Sequence, residues 1–143
     1  MIVLDTNVVS ELMRPQPAPE VTRWIDEQEV GDLSVTSVTV AEVLFGIVRL
    51  PRGARRSRLA ERAQVVVHRG FAGRVLSFDV AAAEHYAELA AGCERAGRPI
   101  STPDAQIAAI CRCRGATLAT RNTRDFETTG IRFLDPWTAP SGG

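Results

Sequence analysis

Asp5, Glu42, Asp104 and Asp125 are the side chains of this sequence best placed to do chemistry. Asp5 ends the apolar run Ile2-Val3-Leu4, just past the carboxyl end of what reads as a buried strand. Open α/β sheets keep their ligand crevice at that edge. Glu42 interrupts a strongly apolar helical segment, and an ionised carboxylate buried without a partner costs several kcal/mol or neutralises. Asp104 shares a helical stripe with Ile107, Ala108 and Cys111, so it points toward the core. Asp125 follows another strand, in the loop Arg121-Asn122-Thr123-Arg124-Asp125-Phe126.

Each acid also has an ordinary structural explanation. Asp5 can cap the helix that follows it, a role Asn7 could share, and Asp104 can complement a helix dipole. Glu42 can close a capping box, Thr39-x-x-Glu42, in competition with Ser37 as the cap, and Asp125 can be turn chemistry. Taken together they carry more. Two acids follow strand ends and two sit near helix starts, positions that share one edge of a parallel sheet. Such a cluster repels itself by roughly 2–4 kcal/mol per close pair at an effective dielectric near 20. Divalent cations relieve that repulsion, and hard oxygen ligands select Mg²⁺ or Mn²⁺. Carboxylate-held Mg²⁺ beside a basic surface points to phosphodiester chemistry.

Other chemistries lack their parts. All 17 basic residues are arginine, so a Walker-type phosphate loop, a Schiff-base enzyme and a receiver domain are excluded for want of a lysine. Cys93, Cys111 and Cys113 are an odd set with no zinc spacing, and His68 and His85 are isolated. The cysteines read as small helix-packing residues in a reducing compartment. Carboxylate and arginine remain.

The elements that must position these acids follow from the pattern. After the first strand, Val8, Val9, Leu12 and Met13 carry a helical stripe that the segment 14–19 breaks. A second helix spans about 20–29, and Leu33-Ser34-Val35-Thr36 is a strand. A third helix, about 37–50, is apolar on all sides and expected to be buried. A basic helix over about 54–68 precedes a strand at 75–78, and Asp79 caps a helix over about 80–96 that closes at Gly97. Thr102 reads as the N-cap of the next helix with Pro103 at its first position. Strands at 116–120 and 131–134 complete the chain. With 143 residues and this alternation, a single α/β domain around a mostly parallel sheet is expected. No apolar run approaches a membrane span of about 20 residues, and the start has no basic signal region, so a cytoplasmic protein is expected.

At these residues the sequence resembles the PIN-domain family, in particular the VapC-type ribonuclease toxins and their FitB-like branch. The resemblance runs through Val3-Leu4-Asp5-Thr6-Asn7, Ser37-Val38-Thr39-Val40-Ala41-Glu42, Gly46-Ile47 to Leu50-Pro51-Arg52-Gly53, and Gly97-Arg98-Pro99-Ile100. It continues in Asp104-Ala105-Gln106-Ile107-Ala108-Ala109, Leu118-Ala119-Thr120-Arg121-Asn122, Asp125-Phe126 and Pro136-Trp137. It implies a compact α/β/α domain over 1–137 with a parallel sheet of four or five strands, leaving 138–143 as a flexible tail. It also implies a metal-dependent endoribonuclease acting on structured RNA such as tRNA, the toxin of a type II toxin–antitoxin pair. Asp5, Glu42 and Asp104 take the three acidic positions of the family and Asp125 the fourth. Asp5 and Asp104 would bind the metal directly, and Glu42 would bind a second ion or orient the attacking water. Asn7, Thr120 and Asn122 match polar positions around that pocket. Homodimers, and inhibition by a VapB- or FitA-like antitoxin that inserts a segment into the acidic groove, are implied as well.

The basic stretch stands apart from the resemblance. Arg49, Arg52, Arg55, Arg56, Arg58 and Arg62 are opposed only by Glu61 in a chain whose net charge is zero. Guanidinium is the better planar partner for phosphate, so RNA is one partner for this surface and the antitoxin the other. No aromatic residue lies between Arg49 and Phe71, which excludes base stacking there. A haloacid-dehalogenase-type phosphohydrolase would want a second aspartate where Asn7 stands, and a lysine. A binding module without activity would gain nothing from four acids left to repel one another.

Overall fold

The computed structural model describes residues 1–140. Its elements are β1 (Ile2–Leu4), α1 (Thr6–Leu12), α2 (Pro19–Asp26), β2 (Leu33–Thr36), α3 (Ser37–Val48) and α4 (Ala54–Val65). They continue with β3 (Val75–Leu76), α5 (Val80–Arg95), α6 (Thr102–Arg114), β4 (Thr117–Ala119) and β5 (Arg132–Leu134). All strand pairs are parallel, in the order β3-β2-β1-β4-β5. The five-stranded parallel sheet and the expected alternation are therefore both present. None of the helices is long and apolar enough to cross a membrane among the described residues.

Strand alternation splits the core in two. Successive side chains of a strand face opposite sides, so Val3 and Leu118 point one way and Leu4 and Ala119 the other. The first pair packs with Leu89, Ile107, Ile110 and Phe126 beneath α5 and α6. The second packs with Val8, Trp24, Val35, Val43 and Ile47 beneath α1 to α4. The chain moves outward from β1 through β2 to β3, then returns to place β4 on the other side of β1. The switch point of the sheet thus lies between β1 and β4, and the ends of those strands carry Asp5 and Thr120.

The helix bounds differ from expectation where caps and packing decide them. Helix α3 begins on Thr36, whose Oγ1 accepts the Thr39 N–H at 3.0 Å, so neither Ser37 nor a Thr39–Glu42 box caps it. Nor is α3 buried all round. Its buried stripe is Thr39, Val43 and Ile47, while Leu44, Phe45 and Val48 are 42%, 62% and 61% exposed. Only one side of the helix meets the sheet, and an apolar composition cannot report which. Helix α6 is capped by Ser101, whose hydroxyl accepts the Asp104 N–H, one residue ahead of the expected Thr102. It ends at Gly115, held in the left-handed region at φ 63°. Helix α2 stops at Asp26, and a 3-10 turn (Val30–Asp32) fills the approach to β2. Of the expected tail, Ala139 packs against the second core cluster, and residues 141–143 lie outside the described residues.

Candidate active site

Asp5 is held from both ends of its carboxylate. Its backbone N–H donates to Ala119 O at 2.9 Å, extending the β1–β4 pairing by one residue and fixing where the side chain starts. Oδ1 accepts the Thr6 N–H at 2.8 Å, which caps α1. Oδ2 accepts the Thr120 hydroxyl at 2.8 Å and a longer contact from Asn7 Nδ2 at 3.4 Å. The residue is 3% exposed. Capping and pocket chemistry are therefore both served by Asp5, while Asn7 caps nothing.

Asn7, Thr120 and Asn122 form one polar network behind that carboxylate. Thr120 is fully buried just past β4, and its Oγ1 accepts from Asn7 Nδ2 at 3.2 Å and from the Asn122 N–H at 3.0 Å. Asn7 Oδ1 accepts the Arg121 N–H at 3.1 Å, which ties the β4 exit to the start of α1. Burial pushes the Asp5 carboxyl up to about 6, against the pull of the Thr120 and Thr6 hydrogen bonds. The charges of Asp104 and Glu42 push it further in the same direction.

Glu42, half-buried on α3, reaches the same pocket. Its Oε1 lies 2.7 Å from the Thr6 hydroxyl, which is itself 3.3 Å from Thr39 Oγ1. Thr6 thus links α1 to α3 and aims Glu42, a role that the sequence reading missed. The residue stood in plain view inside Asp5-Thr6-Asn7, but no spacing rule marks a hydroxyl that bridges two helices.

Asp104 occupies the first turn of α6, half-buried, and its carboxyl is raised chiefly by burial, with Ser101 opposing and the charges of Asp125 and Glu42 adding. Asp125 sits exposed in a 3-10 turn (Thr123–Phe126) anchored by the buried Phe126. A cleft of about 310 Å³ is lined by Arg98, Ser101, Asp104, Asp125 and Thr128 among others. Arg98 fixes the turn from outside, with Nη2 donating to Arg124 O at 2.8 Å and Nη1 to Glu127 Oε2 at 3.1 Å. Its guanidinium thus brackets Asp125 on both sides along the chain.

All four acids come together at the carboxyl edge of the sheet, and among the described residues none of them is in an ion pair. No group of three His, Cys, Asp or Glu side chains could by itself hold a metal ion among the described residues. The donors here are all carboxylate and hydroxyl oxygens, the kind that hard divalent cations take. Mg²⁺ is commonly held by one or two carboxylates and keeps several waters, so a loose set of hard oxygens suits it.

The arginine stretch does not converge on this pocket. Arg62 donates to the Met13 carbonyl at the end of α1, and the Arg49 guanidinium lies over the Phe45 ring. Arg55, Arg58, Leu59 and Arg62 of α4 face Ser10, Met13, Arg14 and Pro15 across a groove of about 340 Å³. Arg52 and Arg56 do not line that groove. Met13 lies eight residues beyond Asp5, about 12 Å along a helix, so the groove flanks the pocket without entering it.

A parallel sheet with this strand order, carrying acids at its switch point, is the arrangement of a PIN fold. The chain belongs to the PIN domain family, which it matches over residues 2–131. It is 45% identical to the plasmid stability protein StbB of Pseudomonas syringae pv. tomato, over 97% of this chain and 100% of that protein. It is 42% identical to the VapC ribonuclease Y4jK of Sinorhizobium fredii, over 96% of this chain and 98% of that one. Toxin FitB of Neisseria gonorrhoeae is 37% identical over 96% and 99% of the two chains. A solved structure of FitAB bound to an IR36 DNA fragment superposes with a TM-score of 0.91 at 36% identity, covering 100% of both chains.

Proposed function

We propose that this chain is the toxin of a toxin–antitoxin pair, an endoribonuclease that hydrolyses phosphodiester bonds in RNA with Mg²⁺ or Mn²⁺. One observation carries the reading: four carboxylates share the switch-point edge, and the most buried of them is pushed up to about 6 with no cationic side chain paired to it. The 42% identity to the VapC ribonuclease Y4jK supports the nuclease activity, and the 37% identity to Toxin FitB supports the toxin role.

A bound divalent ion supplies a water of lowered pKa and neutralises charge that builds on the phosphate. Asp5 and Asp104 are the residues that would hold it, Asp5 through an oxygen whose direction Thr120 and Asn7 fix. Glu42, aimed by Thr6, would hold a second ion or orient the attacking water. Asp125 completes the acidic rim on the cleft side. The groove between α1 and α4 seats the antitoxin: Met13, Pro15 and Leu59 offer apolar contact, and four arginines favour an acidic segment.

Incubation with total tRNA, with Mn²⁺ or with EDTA, tests the activity. Cleavage in Mn²⁺ that stops in EDTA is expected; undiminished cleavage in EDTA overturns the metal mechanism.

A further inference from the structure

An acidic pocket that takes RNA must admit a polyanion, and cations at its rim decide how the strand lies. Arg98 lines the cleft beside Asp104 and Asp125, and Arg121 follows Thr120 just past the end of β4. Arg98 spends its guanidinium on Glu127 and on the Arg124 carbonyl, so it serves the fold of the Asp125 turn. Arg121 is different. Its backbone is pinned to Asn7, one residue beyond the Thr120 that donates to Asp5, while its side chain is exposed and, among the described residues, in no ion pair. The guanidinium lies over the Trp137 ring at 4.8 Å. Trp137 is itself packed against the second core cluster, and its backbone N–H donates to Asp135 Oδ1 at 2.8 Å. The ring contact holds the guanidinium in place, and among the described residues none of its N–H groups is in a hydrogen bond, so they can meet a phosphate with two of them.

We propose that Arg121, stacked on Trp137, is a backbone-phosphate contact for the RNA strand lying over the acidic pocket. This rests on the ribonuclease reading and adds to it a binding residue outside the acids. The chemistry recognised is phosphate, so the contact carries no base preference. The same face could instead meet the antitoxin, but the position of Arg121 beside the Asp5–Thr120 network favours the substrate.

The test uses a short fluorescein-labelled single-stranded RNA in EDTA, where binding is read without cleavage, across a series of salt concentrations. Wild type is compared with Arg121→Gln, Arg121→Lys and Arg114→Gln. Arg114 ends α6, ten residues and about 15 Å along the helix from Asp104, and serves as a remote cation. Arg121→Gln is expected to weaken binding roughly tenfold and to flatten the salt slope by about 0.7. Arg121→Lys should keep the slope while losing part of the affinity, which a purely structural role would not produce. Arg114→Gln should change neither. The proposal is overturned if Arg121→Gln leaves affinity and slope unchanged, or if it lowers only the affinity for the antitoxin. Equal losses at Arg121 and Arg114 overturn it too. Wild type that cleaves RNA while Arg121→Gln binds normally leaves the ribonuclease reading standing and this one fallen. Wild type that neither binds nor cleaves RNA overturns both.

Discussion

Asp5 does two jobs with two oxygens, and they pull its stability contribution in opposite directions. Oδ1 caps α1, worth about 1 kcal/mol in ordinary helices. Against that, burial raises the carboxyl from 3.8 to about 6, so holding it ionised at neutral pH costs on the order of 3 kcal/mol. The folded chain binds this proton more tightly than the unfolded chain does. Between about pH 4 and pH 6 the native state therefore carries more protons, and stability falls as pH rises through that window. Asp5→Asn keeps the cap, loses the charge, and leaves the Thr120 hydroxyl, whose oxygen already accepts from Asn7 and Asn122, without its acceptor, at about 2 kcal/mol. In EDTA at pH 7.5 the variant should melt about 3 °C higher than wild type, an advantage gone by about pH 5. Saturating Mn²⁺ should reverse the order, because metal stabilises only the state that binds it. A variant that melts lower than wild type in EDTA at pH 7.5 would show Asp5 to be chiefly a cap.

The helices show what a sequence pattern resolves and where it stops. Asp104 was legible because Ile107, Ala108 and Cys111 mark the buried face of α6, and that face is buried. Its cap was misplaced by one residue because Ser101 and Thr102 are both competent hydroxyls, and only backbone geometry chooses between them. Helix α3 misled more seriously, since Leu44, Phe45 and Val48 are as apolar as the buried stripe and yet face outward. In α4 the arginines could be counted but not divided. The structure assigns Arg62 to the Met13 carbonyl and turns Arg55 and Arg58 toward the groove. Replacing Arg55 and Arg58 together by Gln should weaken binding of the purified antitoxin by about threefold to tenfold, mainly through slower association. RNA cleavage should be unchanged in a fluorescent-substrate assay. Slower cleavage with undiminished antitoxin affinity would place these arginines on the RNA.

Across the whole molecule, zero net charge conceals a separation: four acids lie at the sheet edge while four arginines run along α4. Strand alternation in the sequence located Asp5 and Asp125 after strands, because an apolar run ending in a polar residue is a local signal. The strand order is not local. Nothing in the spacing says that β4 returns to lie beside β1, yet that return is what brings Thr120 onto Asp5 and closes the network. Thr6 and Arg98 went unread for the same reason, since each acts across elements distant in sequence. The central claim is that these acids hold the ion that RNA cleavage requires. Calorimetric titration of Mn²⁺ into wild type, Asp5→Asn and Asp104→Asn, beside RNA cleavage by the same preparations, tests it most directly. Wild type should bind Mn²⁺, and each variant should bind at least about tenfold more weakly, as loss of a charged ligand interaction requires, with cleavage lost in step. Variants that bind Mn²⁺ as wild type does, or that cleave RNA undiminished, would contradict the account.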